Sequence, residues 1–285
     1  MIGIAGGSGV YDLSAVESLR EERLTTPFGS PSDSYFTGTL GGVAVAFLAR
    51  HGRGHRLSPT EINYRANICG FKQLGCDAVL SASAVGSLKE EYAPRHAVVP
   101  GQFLDRTRHR PDSFFGEGAV AHASLADPVC PAAADALQRG AREGELTVHR
   151  GGTYVCIEGP QFSTRAESHL YRSWGADVIG MTNLTEAKLA REAEMCYATL
   201  ALVTDYDCWR EPSGDVSVEA ILEVLRDNAA AARRSLAAAV RLLEPDRTCG
   251  CRDAMRYAIL TDRKAIPEDA RRRLAPIVGR YLRRR

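Results

Sequence analysis

The sequence predicts a single α/β domain in which helices flank a mixed central β-sheet. Three observations support this prediction: short apolar segments bounded by Gly, Pro or polar residues, longer helical patterns between them, and no low-complexity linker before residue 245. Short apolar segments of this kind are typical of strands buried on both faces. Their alternation with helices favours a layered domain around a largely parallel or mixed sheet.

Seven segments are predicted to be strands. The first, residues 2–5, leads directly into the turn Gly6-Gly7-Ser8-Gly9. The others are residues 43–48, 78–82, 96–99, 154–158, 178–181 and 198–203. Open α/β sheets bind ligands in the loops at the carboxyl ends of their strands, so these loops are where a site is expected.

Four segments are predicted to be helices: residues 59–75, 164–174, 185–197 and 216–243. Ser58 and Pro59 supply residues that favour a helix start, and Thr164 is suited to cap the second helix. Residues 246–285 follow Pro245 as a C-terminal extension. Its apolar residues recur at helical spacing from Leu274 onward, which predicts a helix packed on the body.

Composition excludes several classes of function. Apolar residues make up 45% and charged residues 25% of the 285, the balance of a soluble globular protein. The net charge of +1 does not indicate electrostatic binding to nucleic acid or to a membrane surface. The sequence shows neither an apolar run of roughly 18 residues nor a secretion signal, so we expect a cytoplasmic protein.

Most of the eight cysteines are expected to be buried small apolar residues. Only Cys249-Gly250-Cys251 has a notable spacing. A closed zinc site takes four ligands and only two are local here, so no metal is expected. Three states remain open: a strained disulfide between these two, a bridge from one of them to Cys196, or two free thiols on a surface turn.

Three of the predicted strands are followed by residues suited to an anion. In Gly6-Gly7-Ser8-Gly9 the backbone can approach phosphate and the Ser8 hydroxyl can donate to it, although a plain tight turn would look the same. This segment is neither GxGxxG nor a P-loop, which disfavours a Rossmann dehydrogenase. Arg50 offers a planar fork of donors and His51 a further donor, unless this is a solvated basic turn. Ser83 and the amide of Ala84 follow a third strand and suit phosphate or sugar.

Two further loops carry residues suited to an aromatic ligand. Phe162 can stack on a flat base, whereas Glu158 and Glu167 nearby are as readily ion-pair partners as catalytic groups. Asp205 and Asp207 lie two residues apart and point the same way on an extended chain. They could act as acid and base, read the edge of a base or bind a metal, and the absence of further ligands nearby disfavours the metal.

Seven motifs occur along the chain in a defined order. They are GGSGV, ARHGRGH with a later NYRANI, ASAVGSL, QFLDRT, IEGPQFSTRAES, WGADVIGMT and TDYDCW. Together they resemble the trimeric purine nucleoside phosphorylase family, and within it the 5′-methylthioadenosine phosphorylases. The resemblance runs from residue 2 to about residue 243. It implies that residues 1–245 form the catalytic domain of a phosphate-dependent enzyme with no metal or organic cofactor.

The resemblance also implies a role for each matching residue. Phosphate would be bound by Ser8, Arg50, His51, Ser83 and Ala84, and the base by Phe162, Ser163, Asp205 and Asp207. The ribose would lie against Met181 and Thr182, and the 5′ group against Val218, Ile221 and a neighbouring subunit's His122. The implied assembly is a homotrimer or a dimer of trimers.

The choice of base depends on two of these positions. A carboxyl group suits the N6 donor of adenine, whereas an amide suits the O6 acceptor of hypoxanthine or guanine. Relatives that use 6-oxopurines carry Asn at the position of Asp205 and Glu at that of Ser163, so both positions here imply adenine. Asp205, when protonated, would act as general acid towards N7 of the leaving base.

The expected reaction is therefore phosphorolysis of 5′-methylthioadenosine to adenine and 5-methylthioribose 1-phosphate. Three alternatives remain: a broader purine nucleoside phosphorylase that also uses adenosine or inosine, a hydrolase acting on the same nucleosides, and a non-enzymatic nucleotide-binding module. The expected partners are a nucleoside and phosphate, with neither nucleic acid nor membrane.

Overall fold

The computed structural model describes residues 1–7, 13–210 and 218–282. Its strands are β1 (Ile2–Gly6), β2 (Glu17–Glu22), β3 (Tyr35–Leu40), β4 (Val43–Ala49), β5 (Ala78–Ser87), β6 (Ala97–Val99), β7 (Gln102–Arg106), β8 (Val148–Arg150), β9 (Thr153–Ile157), β10 (Val178–Gly180) and β11 (Cys196–Asp205). Its α-helices are α1 (Tyr64–Gln73), α2 (Pro131–Glu143), α3 (Arg165–Ser173), α4 (Asn183–Glu192), α5 (Val218–Leu242) and α6 (Glu268–Leu282). A short 3-10 helix spans Gly250–Asp253.

All the described strands belong to one mixed sheet. Its main path runs β2-β3-β4-β1-β5-β10-β9-β7, and β11, β6 and β8 branch from β5 in that order. Strands β1, β4, β5 and β11 pair in parallel, whereas β10 pairs with β5 and β6 pairs with β11 in the antiparallel sense. The predicted fold class is confirmed.

Helices cover the two faces of this sheet. On one face α2 packs against α5, and the apolar residues below them include Leu80, Leu200 and Leu202. On the other face α1 contacts α4 and α6 above residues such as Val79 and Tyr197. The alternate residues of β5 and β11 thus face opposite layers, which is why both strands are apolar throughout.

The seven predicted strands are all present, but two predicted helices have different bounds. The first begins at Tyr64 rather than residue 59, because Asn63 caps it by accepting from the amide of Ala66 while Ser58 bonds to Glu61 in a preceding turn. The third ends at Glu192, so residues 196 and 197, predicted as helix, open strand β11. Apolar residues at the end of α4 and at the start of β11 continue one helical pattern in the sequence, so the boundary between the two elements is not visible there.

Several elements were not predicted from the sequence. Strand β2 is almost wholly exposed and carries polar residues, so it lacks an apolar signal. Strand β7 has polar residues at both ends and β8 has only three residues, so neither forms a run of apolar residues. Helix α2 is rich in Ala and contains a Gly, which weakens the helical pattern of larger apolar residues.

The segment after Pro245 packs on the body. In α6, Ala270, Leu274 and Ile277 are buried in the same apolar cluster as residues of α1 and α4. The buried Glu194 on the body accepts hydrogen bonds from the amide of Met255 and the hydroxyl of Tyr281. No helix within the described ranges is long and apolar enough to cross a membrane.

Candidate active site

A cavity of about 750 Å³ opens at the carboxyl ends of β1, β4, β5 and β11. Twelve residues singled out from the sequence line it, although they come from six separate segments of the chain. They are Arg50, His51, Ser83, Ala84, Phe162, Ser163, Met181, Thr182, Asp205, Asp207, Val218 and Ile221. A concave, largely enclosed site with a few polar groups is the usual form of a small-molecule site.

The register of the parallel strands brings the first of these groups together. Gly6 lies opposite Ala49 of β4 and Ala82 of β5, so the residues that follow these positions meet at one edge of the sheet. Gly7, Arg50 and Ser83 are adjacent there: a Cβ on Gly7 would lie 3.5 Å from Arg50 Nη1 and 4.0 Å from the Cα of Ser83. The ends of these three strands therefore form one wall of the cavity.

Arg50 is fixed by a buried carboxylate. Its side chain is 1% exposed and forms an ion pair with Glu186 of α4. The guanidinium also donates to the carbonyl oxygens of Ala82, at 3.1 Å, and Ala5, at 3.2 Å. An arginine held at several points loses little further side-chain entropy when it binds a ligand, and so it is preorganised.

His51 is held in one orientation by the backbone. Its Nδ1 lies 2.9 Å from the carbonyl oxygen of Leu57, and since a carbonyl only accepts, Nδ1 carries the hydrogen. Burial and the charge of Arg50 lower the pKa of His51 to about 4. The ring is therefore neutral near neutral pH, with Nε2 as an acceptor.

Ser83 and the start of α4 form the next part of the wall. The Ser83 hydroxyl donates to Oδ1 of the fully buried Asn183 at 2.6 Å. Thr182 is the N-cap residue of α4, but its side chain does not cap the helix. Because Thr182 lines the cavity, the N-terminus of α4 lies beside it, and a helix N-terminus favours an anion.

Asp205 ends β11 at an irregularity in the sheet. The register between β11 and β5 shifts between Val203 and Asp205, which places Asp205 opposite Gly86. Bulges next to active sites commonly redirect a side chain in this way. One Asp205 oxygen accepts from the amide of Asp207 at 2.8 Å, and the other lies 2.7 Å from the Thr204 hydroxyl.

Burial raises the pKa of Asp205. The hydrogen bonds from Thr204 and Asp207 act in the opposite sense but do not cancel this shift, because no cation lies beside the carboxyl group among its described neighbours. A carboxyl group in these surroundings retains its proton to a higher pH than an exposed aspartate.

Two polar atoms of the cavity wall are buried without a normal hydrogen bond in the described part of the chain. They are Ser163 Oγ and Asp207 Oδ2, and the Ser168 hydroxyl near Asp207 does not reach it with normal geometry. Burial also raises the pKa of Asp207. Buried polar atoms without partners are rare in folded proteins, and in a cavity they indicate where a ligand supplies the missing partner.

The remaining walls are apolar. Phe162 is 44% exposed at the cavity mouth, and Met181 lies so close to Gly159 that a Cβ there would be 2.5 Å from the Met181 sulfur. Gly159 has a φ of 68°, which also favours glycine. Val218 and Ile221 of α5 close the opposite side.

Two predicted residues are not found in this cavity. Ser8 lies outside the described residues. His122 is exposed on a segment beside the C-terminal extension, where its amide donates to the carbonyl oxygen of Ala258 at 2.9 Å. Its predicted role in the site of a neighbouring subunit stays a prediction.

The two glutamates with open roles are structural. Glu158 bonds to Thr60, to backbone amides and, at 3.1 Å, to Arg110. Burial alone would raise its pKa, but these groups outweigh burial and lower it to about 2. Glu167 forms the capping box of α3 with Thr164, which confirms Thr164 as a helix cap.

Sequence reasoning missed Glu186 and Asn183, which hold Arg50 and Ser83 in place. Both are buried at the start of α4, and Glu186 also accepts from Tyr197 at 2.8 Å. Only Glu186 lies within the predicted helix 185–197, and one carboxylate there is a weak signal without knowledge of which cation lies opposite.

The chain matches the family model of the phosphorylase superfamily over residues 1–241. The curated S-methyl-5′-thioadenosine phosphorylase of Geobacter sulfurreducens is 55% identical to it over 283 residues, which cover 99% of each chain. The chain belongs to the phosphorylase superfamily. The family predicted from the seven motifs is thereby confirmed, and the similarity to the Geobacter enzyme includes the segment after Pro245.

Solved structures of the superfamily have the same fold. A methylthioadenosine phosphorylase from an antarctic soil metagenomic library superposes with a TM-score of 0.93 at 48% identity, covering 97% of this chain and 98% of that one. A mutant of the adenosine/methylthioadenosine phosphorylase of Schistosoma mansoni, in complex with methylthioadenosine, gives 0.84 at 37% identity, covering 90% and 95%.

Proposed function

We propose that this enzyme splits 5′-methylthioadenosine with inorganic phosphate, giving adenine and 5-methylthioribose 1-phosphate. The observation that carries the proposal is the composition of the one cavity that opens at the strand ends described above. It combines a half-buried acid with a raised pKa, Asp205, and anion-binding groups around Arg50. Full-length similarity to enzymes named S-methyl-5′-thioadenosine phosphorylase supports the same reaction.

Phosphate is proposed to bind at the ends of β1, β4 and β5. Arg50 supplies positive charge, Ser83 and the amide of Ala84 supply hydrogen-bonding groups, and Ser8 contributes from the glycine-rich turn. The N-terminus of α4 adds a favourable dipole. Neutral His51 accepts, through Nε2, a hydrogen bond from the protonated oxygen of phosphate, which leaves the other oxygens for Arg50 and for attack.

The base is proposed to lie between Phe162 and the two aspartates. As the bond from N9 to C1′ breaks, negative charge develops on the purine. Protonated Asp205 donates to N7, a form of general acid catalysis worth typically 10²–10⁴-fold. Asp207 Oδ2 and Ser163 Oγ, which lack normal partners, complete their hydrogen bonds on the edge of the base.

The sugar occupies the space between base and phosphate. Met181 and Thr182 contact the ribose, and phosphate below the ring stabilises the positive charge that develops on it. Val218 and Ile221 form an apolar surface for the methylthio group. The smaller 5′-hydroxyl of adenosine would leave the space beside this surface incompletely filled. No metal or organic cofactor enters the reaction.

The assembly is proposed to be a homotrimer or a dimer of trimers in the cytoplasm. His122 would then reach the 5′ pocket of a neighbouring subunit. Its exposure on a segment away from this chain's own cavity supports that arrangement. Neither nucleic acid nor membrane is a partner.

Adenosine is the second candidate substrate, because the Schistosoma relative that shares this fold is named for both nucleosides. Release of adenine from 5′-methylthioadenosine, measured with and without phosphate, tests the main proposal. We expect release only with phosphate. Equal release without phosphate would identify a hydrolase, and no release at all would contradict an enzyme of this class.

A further inference from the structure

Four cysteine sulfurs meet at the opposite edge of the sheet from the cavity. Cys130, Cys196, Cys249 and Cys251 place their sulfur atoms within 4.8 Å of one another. Cys196 Sγ and Cys249 Sγ are 3.4 Å apart, and all four thiols are free. This is the one group of three or more potential metal ligands found among the described residues.

The four sulfurs have the spacing of a tetrahedral metal site. With metal–sulfur bonds of about 2.3 Å, the corners of a tetrahedron lie about 3.8 Å apart. The distance of 3.4 Å between the sulfurs of Cys196 and Cys249, and the upper limit of 4.8 Å for all pairs, are compatible with this value. A cluster of two or more iron atoms needs sulfurs on opposite sides that are farther apart, so a single ion fits best.

The ligands come from rigid and separate parts of the fold. Cys130 is the N-cap residue of α2, Cys196 is the first residue of β11, and Cys249 and Cys251 flank the start of the short 3-10 helix. Three of them are at most 5% exposed and Cys249 is half-buried. Sites held by helix and strand ends position ligands more accurately than flexible loops do.

A buried arginine lies beside this cluster. The side chain of Arg247 is 3% exposed and pairs with Asp77 at 2.6 Å. Its guanidinium interacts with Cys196, and its Nε and Nη2 are buried without a hydrogen-bond partner of normal geometry within the described ranges. Zinc bound by four thiolates carries a net charge of two minus, so a buried cation with an unused N–H group is the outer partner that such a site requires.

We propose that Cys130, Cys196, Cys249 and Cys251 bind one Zn²⁺ ion in a closed structural site. Binding displaces four thiol protons and joins the extension after Pro245 to the body at α2 and β11. All four coordination positions are taken by sulfur, so no position remains for water or substrate. Asp205 lies nine residues farther along β11, about 30 Å away at the rise of a strand, so the ion stabilises the fold and takes no part in the reaction.

Metal content of the full-length protein tests this site. We expect about one zinc ion per chain after expression with zinc and removal of free metal. The variant Cys249→Ser/Cys251→Ser should lose the ion, whereas Cys69→Ala, which changes another buried cysteine outside the cluster, should retain it. The melting temperature should fall for the double variant and not for the control.

A second measurement uses the unaltered chain and so does not depend on how a variant folds. Replacement of zinc by cobalt(II) should produce the intense visible absorption of a tetrahedral thiolate complex. A thiol count in denaturant without reductant separates the alternatives. Disulfides among the four cysteines, four free thiols with no bound metal after reconstitution, or metal retained by the double variant would each overturn the proposal.

Discussion

Different structural features bring residues together at the two ends of strand β11. At its carboxyl end, Asp205 faces a cavity formed by residues at and just beyond the carboxyl ends of several strands. At its amino end, Cys196 lies beside three cysteines that are contributed by the start of α2 and by the C-terminal extension, not by neighbouring strands. The parallel register makes the first convergence a consequence of sheet geometry, whereas the second depends on how α2 and the C-terminal extension pack. The proposed reaction and the proposed metal site thus lie at opposite ends of one strand.

The largest expected effect is at the carboxyl end. Asp205→Asn should lower kcat/KM for 5′-methylthioadenosine by at least the roughly 10²-fold of a lost general acid. It should also raise the relative activity on inosine, because an amide can donate to O6. Steady-state kinetics on both nucleosides measures this. Tyr206→Phe, whose hydroxyl bonds to the distant Glu90 carbonyl, is the control. An unchanged preference for adenine would remove Asp205 from the base site.

A smaller loss is expected from Gly86→Ala. The added Cβ would lie 3.0 Å from both Asp205 Oδ1 and the Ile179 side chain, so the carboxyl group must move. A displacement of this kind should cost roughly tenfold to 10²-fold in kcat/KM. Gly101→Ala is the matched control, since its Cβ would meet only an ordinary contact at 3.9 Å. Equal activity of the two variants would show that Asp205 tolerates displacement.

The pH dependence of stability gives a third prediction. The pKa of Asp205 in the folded protein is raised above 3.8. The protonated side chain therefore contributes its full share to the free energy of unfolding below pH 3.8, and this contribution is lost as pH rises through the folded pKa. Asp205→Asn has no such loss, and its amide can donate to Thr204 while that hydroxyl turns to Val85. The variant should melt higher than the parent by an amount that grows with pH, on the order of a few °C. A difference independent of pH would contradict a raised pKa.

The smallest expected effect is the coupling between the two ends of β11. If the cysteine site has no role in catalysis, Cys249→Ser/Cys251→Ser should leave kcat/KM unchanged within about twofold. The loss caused by Asp205→Asn should also be the same with and without the cysteine substitutions, because distant sites add within about 0.5 kcal/mol. A double-mutant cycle on kcat/KM measures this. Strong coupling would show that the extension communicates with the active site.

The sequence by itself determined most of the catalytic end. The predicted strands end shortly before Arg50, Ser83 and Asp205, so a largely parallel sheet was expected to bring these residues together, although β5 and β11 in fact extend through Ser83 and Asp205. The sequence did not predict Glu186, because the partner of a buried arginine can come from any element that packs above it. It also misplaced the start of α1, since Ser58-Pro59 is a helix start by residue type and Asn63 forms the actual cap.

Only the tertiary structure decided the other end. From the spacing of Cys249 and Cys251 alone a zinc site was not expected, because two ligands were local and the other two lay far away in sequence. Packing of the extension brings Cys130 and Cys196 to the same point, with Arg247 beside them. The physical reason is that strand register orders neighbouring loops locally, whereas ligands contributed by helix ends and a terminal segment depend on the packing of the whole domain.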